Sequence, residues 1–82
     1  MILTWDERKR VSNLDKHGLD FAVLSPEFFE RAHIVPTRLH RFLAVATLDG
    51  VLITVVFAFL GSEAMSIISM RPASIKERAH AP

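Results

Sequence analysis

The stretch FLAVATLDGVLITVVF, residues 42–57, decides the fold of this chain. Two apolar runs rich in β-branched residues flank Asp49-Gly50, and this dipeptide favours the two-residue turn of a β-hairpin. Such a turn fixes which residues face each other across the two strands. The predicted pairs are Leu48 with Val51, Ala46 with Ile53, Ala44 with Val55, Phe42 with Phe57 and, on the other face, Val45 with Thr54.

Both faces of this hairpin are mostly apolar, so neither is expected to lie entirely in water. One face pairs small alanines with large Ile, Val and Phe side chains, a pattern that suits helix packing. We therefore predict that one face carries the N-terminal helices. The other face is expected to take a partner protein or the chain's own C-terminal segment.

The N-terminal sequence predicts a short strand followed by a helix. ILTW, residues 2–5, is the strand candidate. Asp6 is predicted to cap the helix that follows, with Thr4 and Glu7 offering a capping box as the alternative. Gly18 is expected to end this helix in the left-handed conformation, which costs glycine least.

Between this helix and the hairpin, the sequence predicts a second, broken helical segment. Asp20 is the expected cap of a short helix through Leu24, and Ser25-Pro26 is expected to restart it. Pro36 is interpreted as a loop residue.

Downstream of the hairpin, AMSIISM, residues 64–70, predicts a third antiparallel strand that Pro72 ends. Ser74 and Glu77 form the capping-box pattern S-x-x-E, which predicts a final helix over residues 74–81. The chain is thus expected to be one domain, residues 1–82, of the α+β class, with an N-terminal strand and helices packed on an antiparallel sheet and a C-terminal helix.

Composition restricts the class of protein. Of 82 residues, 50% are apolar, so a core is expected, but a domain of this size buries only about 60% of its unfolded surface, and a partner would add stability. No cysteine is present, which excludes disulfides and thiolate metal sites. No apolar run approaches the ~20 residues of a membrane span, and the charged start argues against a signal peptide, so we expect a cytoplasmic protein with no membrane association.

The net charge of +1 argues against binding of nucleic acid by bulk charge alone. The bases nevertheless cluster, and two clusters brought together by the fold would form a local basic surface. Each cluster taken alone is equally explained as a solvated mixture of charges. The clusters are Arg8, Lys9, Arg10 and Lys16; Arg38 and Arg41; and Arg71, Lys76 and Arg78.

Four separated motifs resemble the BrnT toxins of bacterial type II toxin–antitoxin systems. They are WDERK, residues 5–9; N-x-x-K-H-G-L-D-F, residues 13–21, with the Phe pair that follows; R-F-x-A, residues 41–44; and SIISMRPAS with KER, residues 66–78. The resemblance covers nearly the whole chain in the family's order. It implies a RelE-like fold and a ribonuclease that slows growth by cutting RNA without a metal or another cofactor.

The resemblance also implies partners. The expected inhibitor is a BrnA-type antitoxin, a ribbon-helix-helix protein that binds operator DNA, so the toxin would reach DNA only through it. A heterotetramer or a dimer contact is expected.

Metal-independent cleavage of RNA needs groups that accept and donate protons and a fixed positive charge on the phosphate. Arg71, matching the arginine of the family's I-I-S-x-R segment, is expected to bind the phosphate. Lys16 and His17 match the family's K-H-G; they are interpreted either as phosphate-facing catalytic residues or as cations that stabilise a helix C-terminus. Glu77 is a candidate base, although the capping box also explains it. The expected RNA-binding residues are Arg41, Arg10 and Lys76.

The chain departs from the family in two places. Many BrnT sequences carry a basic residue near the start of the final strand and a tyrosine in the last helix. Here Leu60, Ser66 and the segment RAHAP occupy these regions, and no tyrosine is present. His80 is the expected substitute in acid-base catalysis. The alternative is an interaction protein of the same fold, a catalytically degenerate toxin that acts as antitoxin partner and co-repressor.

Other chemistries are not supported by the sequence. The four histidines, at positions 17, 33, 40 and 80, show no H-x-x-x-H or carboxylate-paired spacing, so no metal site is predicted. No serine lies in a G-x-S-x-G setting.

Overall fold

The computed structural model describes residues 1–81. Within these residues, five strands and three helices follow one another, with a single 3-10 turn, Phe21–Val23, after the first helix. The elements are β1 (Ile2–Trp5), α1 (Glu7–His17), α2 (Pro26–Arg31), β2 (His33–Pro36), β3 (Phe42–Leu48), β4 (Val51–Leu60), β5 (Ala64–Pro72) and α3 (Ile75–Arg78). No helix within residues 1–81 is long and apolar enough to span a membrane.

All five strands form one sheet in the order β1-β5-β4-β3-β2. The pairs β2–β3, β3–β4 and β4–β5 are antiparallel, whereas β1 adds to the edge of β5 in the parallel direction. The predicted α+β class, with an N-terminal strand and a C-terminal helix, is confirmed.

The hairpin has the predicted register. Leu48 faces Val51 next to the turn, and the ladder continues without a slip to Phe42 opposite Phe57. Asp49 and Gly50 have φ values of 50° and 81°. Positive φ at both central residues is what a type I′ turn requires, and this turn matches the twist of the two strands.

The first face of the sheet carries the hydrophobic core. Phe21, Leu24 and Phe28 pack from the N-terminal helical segments onto Ala44, Ala46, Ile53, Val55, Phe57, Met65, Ile67 and Met70, all of them buried. The prediction that the N-terminal helices cover one face of the hairpin is therefore confirmed.

The second face carries a row of four residues that are direct neighbours across adjacent strands: His33, Val45, Thr54 and Arg71. The segment around α3 lies over this row, because Glu77 contacts Thr54 and His80 stacks on His33. Val45 and Thr54 have no exposed surface as a result. Of the two predicted covers, it is the chain's own C-terminal segment that occupies this part of the face.

Helix α1 begins and ends as predicted. The Asp6 side chain accepts a hydrogen bond from the backbone N–H of Arg8, and Gly18 ends the helix with a φ of 69°. Asn13 is the buried residue of this helix: its side chain donates to the carbonyls of Met70 and Leu19 and accepts from the N–H of Met70. The Asn13 side-chain amide therefore bonds to the backbone of β5 just beyond the end of β1. It takes the place that a backbone amide would have if β1 were longer.

Two local predictions differ from the structure, and the short helix expected after Asp20 is present. Pro36 ends strand β2 rather than lying in a loop; proline is tolerated there because β2 is an edge strand. The helix after Asp20 is a single 3-10 turn, capped by the Asp20 side chain as predicted. Helix α3 spans only Ile75–Arg78, although its predicted capping box between Ser74 and Glu77 is present.

Candidate active site

Arg71 and Glu77 form the central ion pair of the second face. Arg71 lies near the end of β5, and Glu77 is presented by the capping box of α3. The guanidinium donates from Nη1 to Oε1 of Glu77 at 2.5 Å and from Nη2 to Oε2 at 2.7 Å. This fork joins the strand to the helix and fixes the orientation of the guanidinium.

The Glu77 carboxylate accepts further hydrogen bonds from its surroundings. Oε1 accepts from the Thr54 hydroxyl at 3.0 Å and from the backbone N–H of Ser74 at 2.9 Å. These bonds, led by that from Arg71, outweigh the effect of burial and lower the pKa of Glu77 to about 2. The carboxylate is therefore ionised at neutral pH and has a weak tendency to accept a proton.

Arg71 keeps binding capacity beyond Glu77. The fork uses one N–H on each terminal nitrogen, and its other N–H groups make no hydrogen bond within residues 1–81. One third of the side chain, 33%, is exposed to solvent. An anion can therefore bind the free edge of the guanidinium while Glu77 holds the opposite edge.

His80 follows Glu77 by three residues but lies over a different strand. Its ring stacks on that of His33, with the centroids 5.4 Å apart and an angle of 4° between the planes. His33 belongs to β2, three strands from Arg71 in the same row, and three strand spacings amount to about 14 Å. Arg71 and His80 thus share one face of the sheet without contact.

Lys16 and His17 line an open cleft between α1 and β5, which we call the α1–β5 cleft. Its volume is about 360 Å³. Its walls contain four basic or histidine side chains and no carboxylate. The lining residues are Arg8, Lys9, Ser12, Asn13, Lys16, His17, Ile68 and Ser69.

A β-bulge connects the cleft to Arg71. Val56 pairs with Ser69 and Phe57 pairs with Ile67, so Ile68 is an extra residue in β5 at the wall of the cleft. Beyond the bulge, Ser69 and Arg71 alternate onto the same face of the strand, about 7 Å apart along it. The cleft and the Arg71–Glu77 pair are therefore neighbouring parts of one surface.

The three residues expected to bind RNA lie apart from this surface or beside it. Arg10 donates from Nε to Glu7 at 2.5 Å and from Nη1 to Asp20 at 3.1 Å, which ties α1 to the 3-10 turn. Lys76 is exposed on α3, next to Glu77. Arg41 is exposed just before β3, four residues from Val45, where the row that contains Arg71 crosses this strand.

Sequence reasoning missed the parts played by Thr54, His33 and Ser69. Thr54 had a signal, since a lone hydroxyl in the apolar run VLITVVF must find a partner once it is buried. Ser69 lies in the I-I-S-x-R segment, but its place at the cleft depends on the bulge in β5. His33 had no signal, because its place follows from the pairing of distant strands. No group of three or more potential metal ligands occurs among the described residues.

Comparison with known proteins identifies the family to which the chain is similar. The sequence model of a protein family described as the ribonuclease toxin BrnT of a type II toxin–antitoxin system matches residues 5–77. The chain is also similar to the crystal structure of the Brucella abortus ribonuclease toxin BrnT, with 49% identity and a TM-score of 0.84. The match covers 90% of this chain and 99% of that one. No curated protein sequence gives a significant match.

Proposed function

The chain belongs to the BrnT family of ribonuclease toxins of type II toxin–antitoxin systems, and from this membership we propose that it is an endoribonuclease that slows translation and growth by cutting RNA. One observation carries the proposal. A fixed, partly exposed Arg71 lies beside a cleft that has four basic or histidine side chains and no carboxylate in its walls.

The proposed reaction is attack of a ribose 2′-hydroxyl on the adjacent phosphate. The new O–P bond gives a 2′,3′-cyclic phosphate, and the bond to the 5′-oxygen of the next nucleotide breaks. The 2′-hydroxyl loses its proton to a base, and the leaving 5′-oxygen receives one from an acid. Positive charge on the phosphoryl oxygens stabilises the transition state.

Arg71 supplies this charge in our proposal. Its free edge binds the phosphate, and Glu77 acts as a positioning residue that holds the guanidinium in place. We prefer this role to that of a base, because the Glu77 carboxylate is already bonded to Arg71, Thr54 and Ser74 and its pKa is about 2.

Proton transfer is assigned to His17, with Lys16 as a second charge on the phosphate. Both line the α1–β5 cleft with Ser69, two residues before Arg71. His80 is the weaker candidate for the acid, because it stacks on His33 at the far side of α3. We propose that the reaction uses these side chains without a metal ion.

RNA cleavage by the purified chain in the presence of EDTA tests the proposal. His17→Gln is expected to lower the cleavage rate by roughly 10²–10⁴-fold, the weight of general acid-base catalysis. If His17 only stabilises the helix end, the same variant keeps its rate and loses ~0.3–1 kcal/mol of stability. Arg38→Gln is the matched control, because this exposed base lies in the loop before β3.

A substrate with a single 2′-deoxynucleotide at the cleavage site distinguishes this mechanism from direct hydrolysis. We expect it to remain uncut. Cleavage at the substituted position would overturn the transesterification, and loss of activity in EDTA that only a divalent cation restores would overturn metal independence.

A toxin of a type II system has an antitoxin partner. We propose a BrnA-type ribbon-helix-helix protein that covers part of the basic surface, forms a heterotetramer or dimer contact with the toxin and carries it to operator DNA. Amide hydrogen exchange of the toxin with and without antitoxin tests this proposal. Protection confined to residues far from Arg71 and Arg41 would overturn the idea that the antitoxin inhibits by covering the site.

One observation favours the alternative of a catalytically degenerate partner and co-repressor. Glu77 already occupies both terminal nitrogens of Arg71, which an incoming phosphate also needs in a symmetrical fork. An inactive chain that still binds antitoxin and strengthens its binding to operator DNA would establish this alternative.

A further inference from the structure

We infer that the Arg8–Lys9 end of the α1–β5 cleft is a second phosphate-binding subsite, which holds single-stranded RNA by a different phosphate from the one bound at Arg71. This inference rests on the proposed function, since it assigns a place to the same RNA substrate.

The cations of the cleft are arranged as two neighbouring rows along α1. Residues four apart lie on one side of a helix, so Arg8, Ser12 and Lys16 form one row, and Lys9, Asn13 and His17 form the next. From residue 8 to residue 16 the helix rises about 12 Å. The two rows of cations are therefore longer than the surface that a single phosphate can contact.

None of the acids of this region lines the cleft. Glu7 accepts from Arg10, and the Asp6 carboxylate accepts from the backbone N–H of Arg8. Asp15 and Glu7 line a neighbouring groove that shares Arg8 and Ser12 with the cleft, but neither acid lines the cleft itself. The Asn13 amide is fully engaged with Met70 and Leu19. An anion in the cleft therefore meets Arg8, Lys9 and the hydroxyls of Ser12 and Ser69.

The direction of α1 separates the two ends of the cleft. Trp5, just before the helix, pairs with Ile67, and Asn13 bonds to Met70, so α1 advances in the same direction as β5. Its C-terminal end, with Lys16 and His17, therefore lies toward Arg71. Arg8 and Lys9 lie toward the beginning of β5, where the positive end of the helix dipole adds to their attraction for an anion.

RNA fits this surface better than an acidic peptide does. The cations are spread along a line that continues to Arg71, and a nucleic acid backbone carries charge at regular intervals along its length. Serine hydroxyls beside the cations are usual partners of phosphate oxygens.

Binding of a single-stranded 2′-deoxy oligonucleotide tests the inference, because this probe lacks the attacking hydroxyl and stays intact. For the double variant Arg8→Gln/Lys9→Gln, we expect roughly tenfold weaker binding, as for the removal of charge-assisted hydrogen bonds. The slope of log Kd against log salt should fall by about 0.7 for each phosphate that the variant no longer neutralises. Arg38→Gln removes one charge elsewhere and should leave the slope unchanged.

Two results would overturn the inference. One is a double variant that binds the oligonucleotide with the affinity and salt slope of Arg38→Gln. The other is a weaker affinity for the antitoxin with unchanged oligonucleotide binding, which would make the cleft a protein-binding surface.

If the double variant does not fold, the parent protein gives the answer by NMR. Addition of the oligonucleotide should shift the amide resonances of Ser12 and Ser69, and unshifted resonances would overturn the subsite. Failure of the proposed function can be told apart from failure of this inference. A parent chain that does not cut RNA but shows these binding changes has the subsite and lacks the reaction.

Discussion

Two arginines of this small domain each bond to carboxylates, but their surroundings differ. Arg10 lies on α1 between Glu7 and Asp20, and Arg71 lies on β5 against Glu77. In both clusters the bonds raise the pKa of the arginine and lower that of its glutamate. The Glu7 side chain, however, is 64% exposed, whereas that of Glu77 is 11% exposed.

The difference shows what burial of the carboxylate adds to an ion pair. Glu7 can exchange Arg10 for water at little cost, so the exposed cluster is expected to contribute little to stability. Glu77 has Thr54 and Ser74 as additional donors, and removal of Arg71 would leave a buried charge without its main partner. The buried cluster therefore holds an arginine in one orientation, as a phosphate-binding site requires.

The largest expected difference between the clusters is in catalysis. Arg71→Lys keeps the positive charge but removes the fork, and we expect RNA cleavage to fall by roughly 10²–10³-fold, as for the removal of one donor to a transition state. Arg10→Lys should lower it by less than about tenfold, because its charge already serves two carboxylates. Single-turnover cleavage rates check both. Equal reductions in the two variants would remove the distinction between the clusters.

Glu77→Gln tests the structural side of the comparison. We expect a decrease of about 1.5–3 kcal/mol in the free energy of unfolding, because hydrogen bonds to a charged, buried group are replaced by weaker ones. Urea melts measure it. Glu7→Gln is the matched control and should leave the urea midpoint close to that of the parent; similar shifts in both would show that burial of the carboxylate does not matter.

The pH dependence of stability should reveal the same carboxylate. Because the pKa of Glu77 is lowered from 4.5 to about 2 in the folded chain, its contribution is fully present above about pH 4.5 and is lost as the pH falls toward 2. The stability difference between the parent and Glu77→Gln should therefore shrink over this range. Urea melts at several pH values check it, and a constant difference would contradict the lowered pKa.

Thr54→Val should have the smallest effect. It removes one of the donors to Oε1 of Glu77 and leaves those of Arg71 and Ser74 in place. We expect the free energy of unfolding to fall by about 0.5–1.5 kcal/mol, the net value of a typical hydrogen bond. Thr47→Val, at an exposed position of β3, is the control for the change in side chain. A larger decrease than that of Glu77→Gln would mean that Thr54 stabilises the sheet independently of the ion pair.

The candidate site was predictable in its residue types but only partly in its arrangement. Arg71, Glu77, Lys16 and His17 were all identified from the sequence as site candidates, and their assigned roles stay predictions. Their contacts were not identified, because the sequence offered the capping box as the only partner of Glu77. The bond to Thr54 joins residues 23 apart in the chain, and no local pattern encodes such a separation.

The sequence by itself determined the local features: the Asp49-Gly50 turn, the hairpin register, the Asp6 cap, the Gly18 helix end and the Ser74–Glu77 capping box. Each depends on backbone conformations and hydrogen bonds within a few residues, where side-chain chemistry decides the outcome directly. Only the tertiary structure decided that β1 adds in parallel to β5 and that Asn13 continues this pairing at Met70. The same holds for the bulge at Ile68 and for the α1–β5 cleft beside Arg71. These features join residues up to some sixty positions apart, and their formation depends on burial of the whole core, which no single segment can achieve alone.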